Sequence, residues 1–256
     1  MSPLNRLSLD IKPPVARIAL SNPPLNIIDL AMMDEISSAF AGIEAKPEVS
    51  IVILEGEGKC FCAGVDVVAH APERVAVMLE KFHRVIRVLV STRKVTIAKV
   101  HGHCLGGGAE LAMVCDVAYT TVDAEWGFPE IQLGCFPPVA ATALSALIGQ
   151  KCASELILSG RIVSGAEAAD IGLATRALAT DQLDHEVGRS VTALSKLSPA
   201  ALAICKRAMY TWDSLHFDKG LARAEKIYLD ELVKTADAAE GIQAFTEKRA
   251  PKWRGM

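Results

Sequence analysis

Apolar residues follow two different periods in the first hundred residues, and each period predicts one type of element. Short apolar runs predict β-strands at Val15–Leu20, Ser50–Leu54 and Val95–Val100. Between the strands, apolar side chains recur every three or four residues, which predicts helices over Asp29–Ile43 and Arg74–Ser91. Strands that alternate with helices indicate an α/β fold in which both faces of the sheet are covered.

The C-terminal part of the chain shows helical periodicity and no convincing strand. One helix is expected to begin at Ser198-Pro199, because proline suits the first turn of a helix. The pattern predicts two more helices, over Lys219–Lys234 and Asp237–Lys248. We therefore predict an α/β core at residues 1–195 and a helical region at residues 196–256. Such a tail can pack against other subunits or cover its own core.

Composition narrows the class of protein further. Hydrophobic residues make up 51% of the 256-residue chain, which is enough for a large core. The formal net charge of −3 gives no general attraction to nucleic acid or to an anionic membrane. The segment Met1–Lys12 is polar, and no stretch reaches the ~18 apolar residues of a membrane helix. The odd number of cysteines, seven, suits reduced thiols. We therefore predict a cytoplasmic protein.

Three consecutive glycines follow the third predicted strand. They are Gly106, Gly107 and Gly108, and they lead into an apolar helix with Glu110 in its first turn. Free N–H groups accumulate at a helix start, where they and the helix dipole can hold a developing oxyanion. On this interpretation Glu110 lies beside the oxyanion site. The alternative is a tight strand-to-helix turn with a solvated glutamate.

A second glycine turn, Cys60–Asp66, follows the second predicted strand. The N–H of Ala63 is a candidate for the second donor of an oxyanion hole, and Asp66 is placed to begin the next helix. An ordinary turn followed by a helix cap would have the same pattern.

Glu130 lies directly after Pro129 in a mostly apolar stretch. Apolar surroundings raise the pKa of a carboxyl group, which suits a general acid or base. A buried glutamate can equally be a structural partner for backbone N–H groups.

The order of these motifs resembles the crotonase superfamily, the enoyl-CoA hydratases and isomerases. The order is A-G-x-D at Ala63–Asp66, G-G-G-x-E at Gly106–Glu110 and F-P-E-I-x-L-G at Phe128–Gly134, and the tail Gly241–Trp253 supports it. The resemblance covers nearly the whole chain. It implies a spiral of ββα turns followed by a helical trimerisation region, in a homotrimer or a homohexamer.

The resemblance also implies a site for an acyl-coenzyme A thioester. Ala63 and Gly107 would donate N–H groups to the thioester oxygen, and Glu110 and Glu130 would flank the alkene and share a water molecule. Further residues would contact the substrate: Cys62, Gly64, Val65, Asp66, Gly106, Pro129, Gly134, Phe136, Phe245 and Lys248. Phe245 and Lys248, or Lys252 in place of Lys248, resemble residues that approach the coenzyme A of a neighbouring subunit. The reaction would need no cofactor and no metal, because coenzyme A is part of the substrate.

The chain departs from the general pattern after the second glutamate. Ordinary enoyl-CoA hydratases have a glycine-rich stretch there, whereas this chain has Gly134–Thr142 with bulkier residues. Together with the tail Ile227–Leu232, this departure resembles a narrower branch, the cyclohexa-1,5-diene-1-carbonyl-CoA hydratases of anaerobic aromatic degradation. The branch implies addition of water to a conjugated cyclic dienoyl thioester.

The sequence is compatible with other functions as well. A general short-chain enoyl-CoA hydratase would need the same two glutamates, and a double-bond isomerase could work with Glu130 alone. A scaffold or RNA-binding relative on the same fold is the non-enzyme alternative, and the net charge of −3 counts against RNA. His101 and His103 have a spacing that two metal ligands could use, but no third ligand is near in sequence, so we expect no metal site.

Overall fold

The computed structural model describes residues 4–255, except for the side chains of residues 211–216. The strands are β1 (Leu7–Lys12), β2 (Val15–Leu20), β3 (Ile51–Gly56), β4 (Val95–Val100), β5 (His103–Leu105), β6 (Val117–Thr121), β7 (Glu125–Gly127), β8 (Ile162–Ser164) and β9 (Arg176–Leu178). The α-helices are α1 (Leu30–Glu44), α2 (Val75–Ser91), α3 (Gly107–Met113), α4 (Pro138–Ile148), α5 (Gln150–Ser159), α6 (Gly165–Asp170), α7 (Leu183–Leu194), α8 (Pro199–Asp230) and α9 (Ala236–Thr246).

The strands form two sheets, and the chain passes repeatedly from one to the other. The larger sheet has the order β1-β2-β3-β4-β6-β9 and is parallel except for the β1–β2 pair. The smaller sheet has the order β5-β7-β8. From β4 the chain enters β5 and then α3, and from β6 it enters β7 before α4. This succession is the predicted α/β fold of ββα turns.

The predicted strands and helices of the first hundred residues are confirmed, because their apolar periods match what they bury. Strands β2 and β4 have the predicted bounds, and β3 begins one residue later than predicted. Residues Ile51–Leu54 are fully buried, as a strand covered on both faces requires. Helix α1 begins after Asp29, whose side chain accepts the N–H of Met32 at 2.8 Å and caps the helix.

The helical tail differs from the prediction in one respect. The side chain of Ser198 caps α8 as expected, but α8 runs without a break for 32 residues, so a separate helix starting at Lys219 is wrong. The apolar period is lost in the first part of α8, where Ile204 is 59% exposed. It returns at Leu221 and Tyr228, which are buried against the core. Because one helix passes from an exposed part to a part buried against the core, its apolar period changes along its length. The sequence pattern therefore predicts a boundary between two helices where there is none.

Helix α8 brings the tail back to the core beside the glycine turns. Gly220 lies so close to α4 that an added Cβ would come within 2.7 Å of Thr142 Cγ2.

In the part of the chain that the structure describes, none of the helices combines the length and apolar character that a membrane crossing requires.

Candidate active site

A narrow cavity of about 80 Å³ lies where the sequence motifs meet. Its walls come from the Ala63–Val67 turn, the start of α3, the short 3₁₀ helix Pro129–Leu133 and the buried face of α8. Segments more than a hundred residues apart in the sequence thus share one small, mostly apolar space. A mostly apolar cavity with a few polar groups is typical of a small-molecule site.

Glu110 is buried in the first turn of α3 and faces this cavity. Its Oε1 accepts the backbone N–H groups of Val139 and Ala140, both at 2.9 Å, from the first turn of α4. Burial raises the pKa of Glu110, and the two N–H bonds act in the opposite direction because they stabilise the carboxylate. The N-terminus of α4 therefore holds a negative charge at this position.

Glu130 is placed by Pro129 at the start of the short 3₁₀ helix and faces the same cavity. Its Oε2 is buried and accepts no hydrogen bond from the described chain. Burial raises the pKa of Glu130, and the negative charge of Glu110 raises it further. The two carboxyl groups therefore form a coupled pair that holds a proton near neutral pH. We assign that proton to Glu130, because two backbone N–H groups of α4 stabilise the Glu110 carboxylate, whereas among the described residues Glu130 has only its own backbone N–H.

A pH-dependent stability follows from the raised pKa of Glu130. At a pH below its ordinary pKa of 4.5, Glu130 is protonated in both the folded and the unfolded chain, so its ionisation does not affect the free energy of unfolding. At higher pH the unfolded chain loses the proton while the folded chain retains it, which lowers the free energy of unfolding. We expect Glu130→Gln to raise that free energy by about 1–2 kcal/mol at pH 7 and to leave it unchanged at pH 4. Urea unfolding at both pH values measures this, and an equal gain at both would contradict it.

The structure changes the assignment of the second oxyanion donor. The N–H of Ala63 already donates to the carbonyl oxygen of Leu25 at 2.9 Å, so it cannot bind a substrate oxygen. The positive φ of Gly64, 118°, then turns the backbone, and the N–H of Val65 has no acceptor within the described residues. Val65 lines the cavity and so does Gly107, the first residue of α3, whose N–H has no acceptor there either. The free pair of donors is therefore Val65 and Gly107.

Most of the residues predicted from the sequence do meet at the cavity. The two glutamates and the two free donors line it, and so do Ala63, Gly64, Gly106, Pro129 and Phe136. The bulky residues Phe136, Pro137 and Pro138 form one wall, in the segment where a glycine-rich stretch was expected for an ordinary enoyl-CoA hydratase.

The remaining predicted residues lie elsewhere in this chain. Cys62 is buried behind the wall, where its Sγ packs on Gly108 and receives the N–H of Gly64 at 3.3 Å. The side chain of Asp66 caps the 3₁₀ helix Val67–His70 by accepting the N–H of Val68. Gly134 is a left-handed cap that packs against the backbone of Asp237.

Phe245 and Lys248 lie at the end of α9, and neither lines the cavity. Phe245 is 55% exposed and Lys248 is exposed as well. Contact with a substrate bound to a neighbouring subunit is the role that the resemblance implies for them, and their position on the surface is compatible with it.

Sequence reasoning missed two features of the site. The N–H groups of Val139 and Ala140 come from a helix start without a polar cap, and nothing in their side chains marks them. Tyr228 on α8 lines the cavity with a buried side chain, although no residue of this helix had been assigned to the site. The sequence signal for Tyr228 is a lone aromatic residue on a helix face, which is usually core.

The two histidines of the glycine segment have ordinary partners. His101 Nε2 lies 3.1 Å from the carbonyl oxygen of Gly58, and His103 Nδ1 lies 2.6 Å from a carboxylate oxygen of Glu125. Among the described residues, no group of three or more His, Cys, Asp or Glu side chains is arranged to hold a metal ion.

Comparison with known proteins gives a consistent result. A family model described as enoyl-CoA hydratase/isomerase matches residues 10–256. The chain is 35% identical to the cyclohexa-1,5-dienecarbonyl-CoA hydratase of Thauera aromatica, over 93% of this chain and 92% of that protein. It is 34% identical to a probable enoyl-CoA hydratase of Bacillus subtilis, over 98% of this chain and 100% of that protein.

Solved structures agree with the sequence relatives. An enoyl-CoA hydratase/isomerase from Xanthobacter autotrophicus superimposes with a TM-score of 0.88 at 29% identity, covering 96% of this chain and 94% of that one. An enoyl-CoA hydratase from Mycobacterium avium subsp. paratuberculosis shares the fold with a TM-score of 0.89 at 24% identity, covering 98% of this chain and 100% of that one.

Proposed function

The chain belongs to the enoyl-CoA hydratase/isomerase family, and from this premise we propose that its substrate is cyclohexa-1,5-diene-1-carbonyl-CoA. It is an enzyme of the hydro-lyase type, as its homologues are. The observation that carries the proposed mechanism is the meeting of Glu110 and Glu130 in one narrow cavity with the free N–H groups of Val65 and Gly107.

The two N–H groups would bind the thioester oxygen of the substrate. When water adds, the π electrons of the alkene move towards the thioester, and negative charge develops on that oxygen. Two fixed donors in a mostly apolar cavity stabilise this charge, and each is typically worth ~3 kcal/mol in the transition state. Gly107 also contributes the positive end of α3.

The two glutamates would divide the proton transfers between them. The Glu110 carboxylate takes a proton from water as the water oxygen forms a bond to the β-carbon. The resulting dienolate then takes the proton of Glu130 at carbon, which gives a hydroxycyclohexene carbonyl-CoA. After the reaction Glu110 has gained one proton and Glu130 has lost one. Proton exchange between the two carboxyl groups, or with water, returns the pair to its starting state.

The choice of a cyclic diene rests on similarity and on the shape of the wall. The Thauera aromatica relative is named for this substrate, and it matches nearly the whole chain. Phe136, Pro137 and Pro138 line the cavity with bulky side chains, and we place the acyl group against them. A compact, flat acyl group suits such a cavity better than a long flexible one.

We also propose the surroundings in which the enzyme works. Phe245 and Lys248 lie outside their own cavity, which supports a homotrimer or homohexamer in which they reach a neighbour's substrate. The proposed reaction takes place in the cytoplasm and uses no cofactor besides the coenzyme A of the substrate, no nucleic acid and no membrane.

A hydration assay tests the substrate directly. We expect cyclohexa-1,5-diene-1-carbonyl-CoA to gain one water in the presence of the enzyme, with a kcat/KM at least about 10-fold above that for crotonyl-CoA. Mass spectrometry follows both thioesters, because hydration adds the mass of one water. Preferred turnover of crotonyl-CoA would identify a general short-chain hydratase, and no hydration of either would contradict the proposed function.

A further inference from the structure

Tyr228 stands at the boundary between two cavities. It lines the catalytic cavity, and it also lines a second, apolar cavity of about 160 Å³ that lies under α9. Its ring packs on Phe136 with a centroid distance of 5.1 Å, and the residue is 2% exposed. The packing fixes the ring, so the position of the hydroxyl group is fixed as well.

The Tyr228 hydroxyl is a buried polar group that the described chain leaves without a hydrogen-bond partner. The thiol of Cys135 is a polar neighbour of this hydroxyl, but no hydrogen bond joins the two groups in the described chain. That thiol is directed to the carbonyl oxygen of Leu133 instead. Buried hydroxyl groups are nearly always paired, so an exception in a cavity wall points to a bound molecule.

The charges around Tyr228 indicate what that molecule is. Burial raises the pKa of the phenol first, the neighbouring Cys135 contributes, and then the charges of Glu130 and Glu110 raise it further. Tyr228 is therefore a hydrogen-bond donor at every working pH, and it shares one small cavity with both carboxyl groups. A molecule held between a donor and two carboxyl groups must accept one hydrogen bond and donate others, as water does.

We propose that the Tyr228 hydroxyl donates a hydrogen bond to the water that is added to the substrate, and so positions that water. The inference rests on the proposed hydration. The water directs one hydrogen to Glu110, which accepts it as a proton, and the other to Glu130, whose Oε2 is buried without a donor. With one lone pair occupied by Tyr228, the remaining lone pair is directed at the β-carbon. Three contacts are the usual number for a buried water.

The test compares two reactions of the Tyr228→Phe variant. The first is hydration of the thioester that the wild type turns over. The second is exchange of the α-hydrogen of its saturated analogue, cyclohexanecarbonyl-CoA or butyryl-CoA, in deuterated water. Exchange needs the Glu130 carboxyl group and the oxyanion donors but no added water. We expect kcat for hydration to fall about 10-fold with KM within about 2-fold, and exchange to continue at the wild-type rate.

Tyr210→Phe is the matched control, because Tyr210 lies on the same helix and its hydroxyl donates to Asp116 at 2.9 Å, outside the cavity. Its ratio of hydration to exchange should equal that of the wild type. If hydration and exchange fall together in Tyr228→Phe, Tyr228 merely supports the structure and the proposal is wrong. Unchanged hydration overturns it too. A wild type that exchanges the α-hydrogen but hydrates neither thioester overturns the proposed function itself.

Discussion

We expect Glu130→Gln to lower kcat for hydration by about 10²–10⁴-fold. The substitution retains the shape of the side chain and removes the proton that we assign to the carboxyl pair. Glutamine does not need the proton that the folded chain must keep on Glu130 near neutral pH, so the folded chain should be at least as stable as the wild type. Binding of the coenzyme A thioester should change little, because the donors at Val65 and Gly107 are intact. Steady-state kinetics and a direct binding measurement separate the two effects.

Glu125→Gln provides the control for this experiment. Glu125 lies in the same segment, but its side chain is 51% exposed and pairs with His103 outside the cavity. Its activity should remain within about 2-fold of the wild type, as for an ordinary surface substitution. Normal hydration by Glu130→Gln would refute the two-glutamate mechanism.

Glu110→Gln distinguishes the two glutamates. We propose that Glu110 accepts the proton from water and that Glu130 donates the proton to carbon. Glu110→Gln and Glu130→Gln should therefore both lose hydration activity. Only Glu130→Gln should also lose α-hydrogen exchange with a saturated acyl-CoA. Loss of exchange in both variants to the same extent would show that the pair acts as a unit at carbon.

The sequence predicts the elements that carry a clear apolar period and misses those that do not. Strand β4 and helix α2 have bounds within one residue of the prediction, because each buries a long, regular apolar face. Strands β5, β7 and β8 have only three residues each, which is too short for a period to be visible. Their positions depend on pairing with distant segments, which a local pattern does not contain.

The same distinction applies to the site. Motif order was sufficient to bring Glu110, Glu130 and Gly107 together, since each belongs to a glycine or proline turn with a recognisable spacing. It did not identify which N–H of the Ala63–Asp66 turn is free, because that depends on a hydrogen bond to Leu25. Tyr228 depends on a still longer contact, the return of α8 to the core. The sequence alone therefore does not predict which backbone N–H groups of the site are free or which distant residues contact it.

Removal of an oxyanion donor is the second substitution from which we expect a large loss of kcat. We expect removal of the Gly107 N–H to lower kcat by about 10²–10³-fold. Proline removes this N–H and suits the first position of a helix, where Gly107 lies. A Cβ at this position would come within 2.6 Å of Val65 Cγ2, so the variant is made in a Val65→Ala background, which removes that atom. Val65→Ala itself keeps both backbone donors.

Gly107→Ala in the same Val65→Ala background is the matched comparison, because it adds the Cβ and retains the N–H. Both double variants place this Cβ about 3.1 Å from Phe82 Cζ, so the steric cost at this contact is shared. A rate difference of about 10²–10³-fold between the proline and alanine variants, with equal unfolding midpoints, would then measure the donor. Equal rates would mean that the thioester oxygen does not depend on Gly107, and the site would have to bind it through other groups.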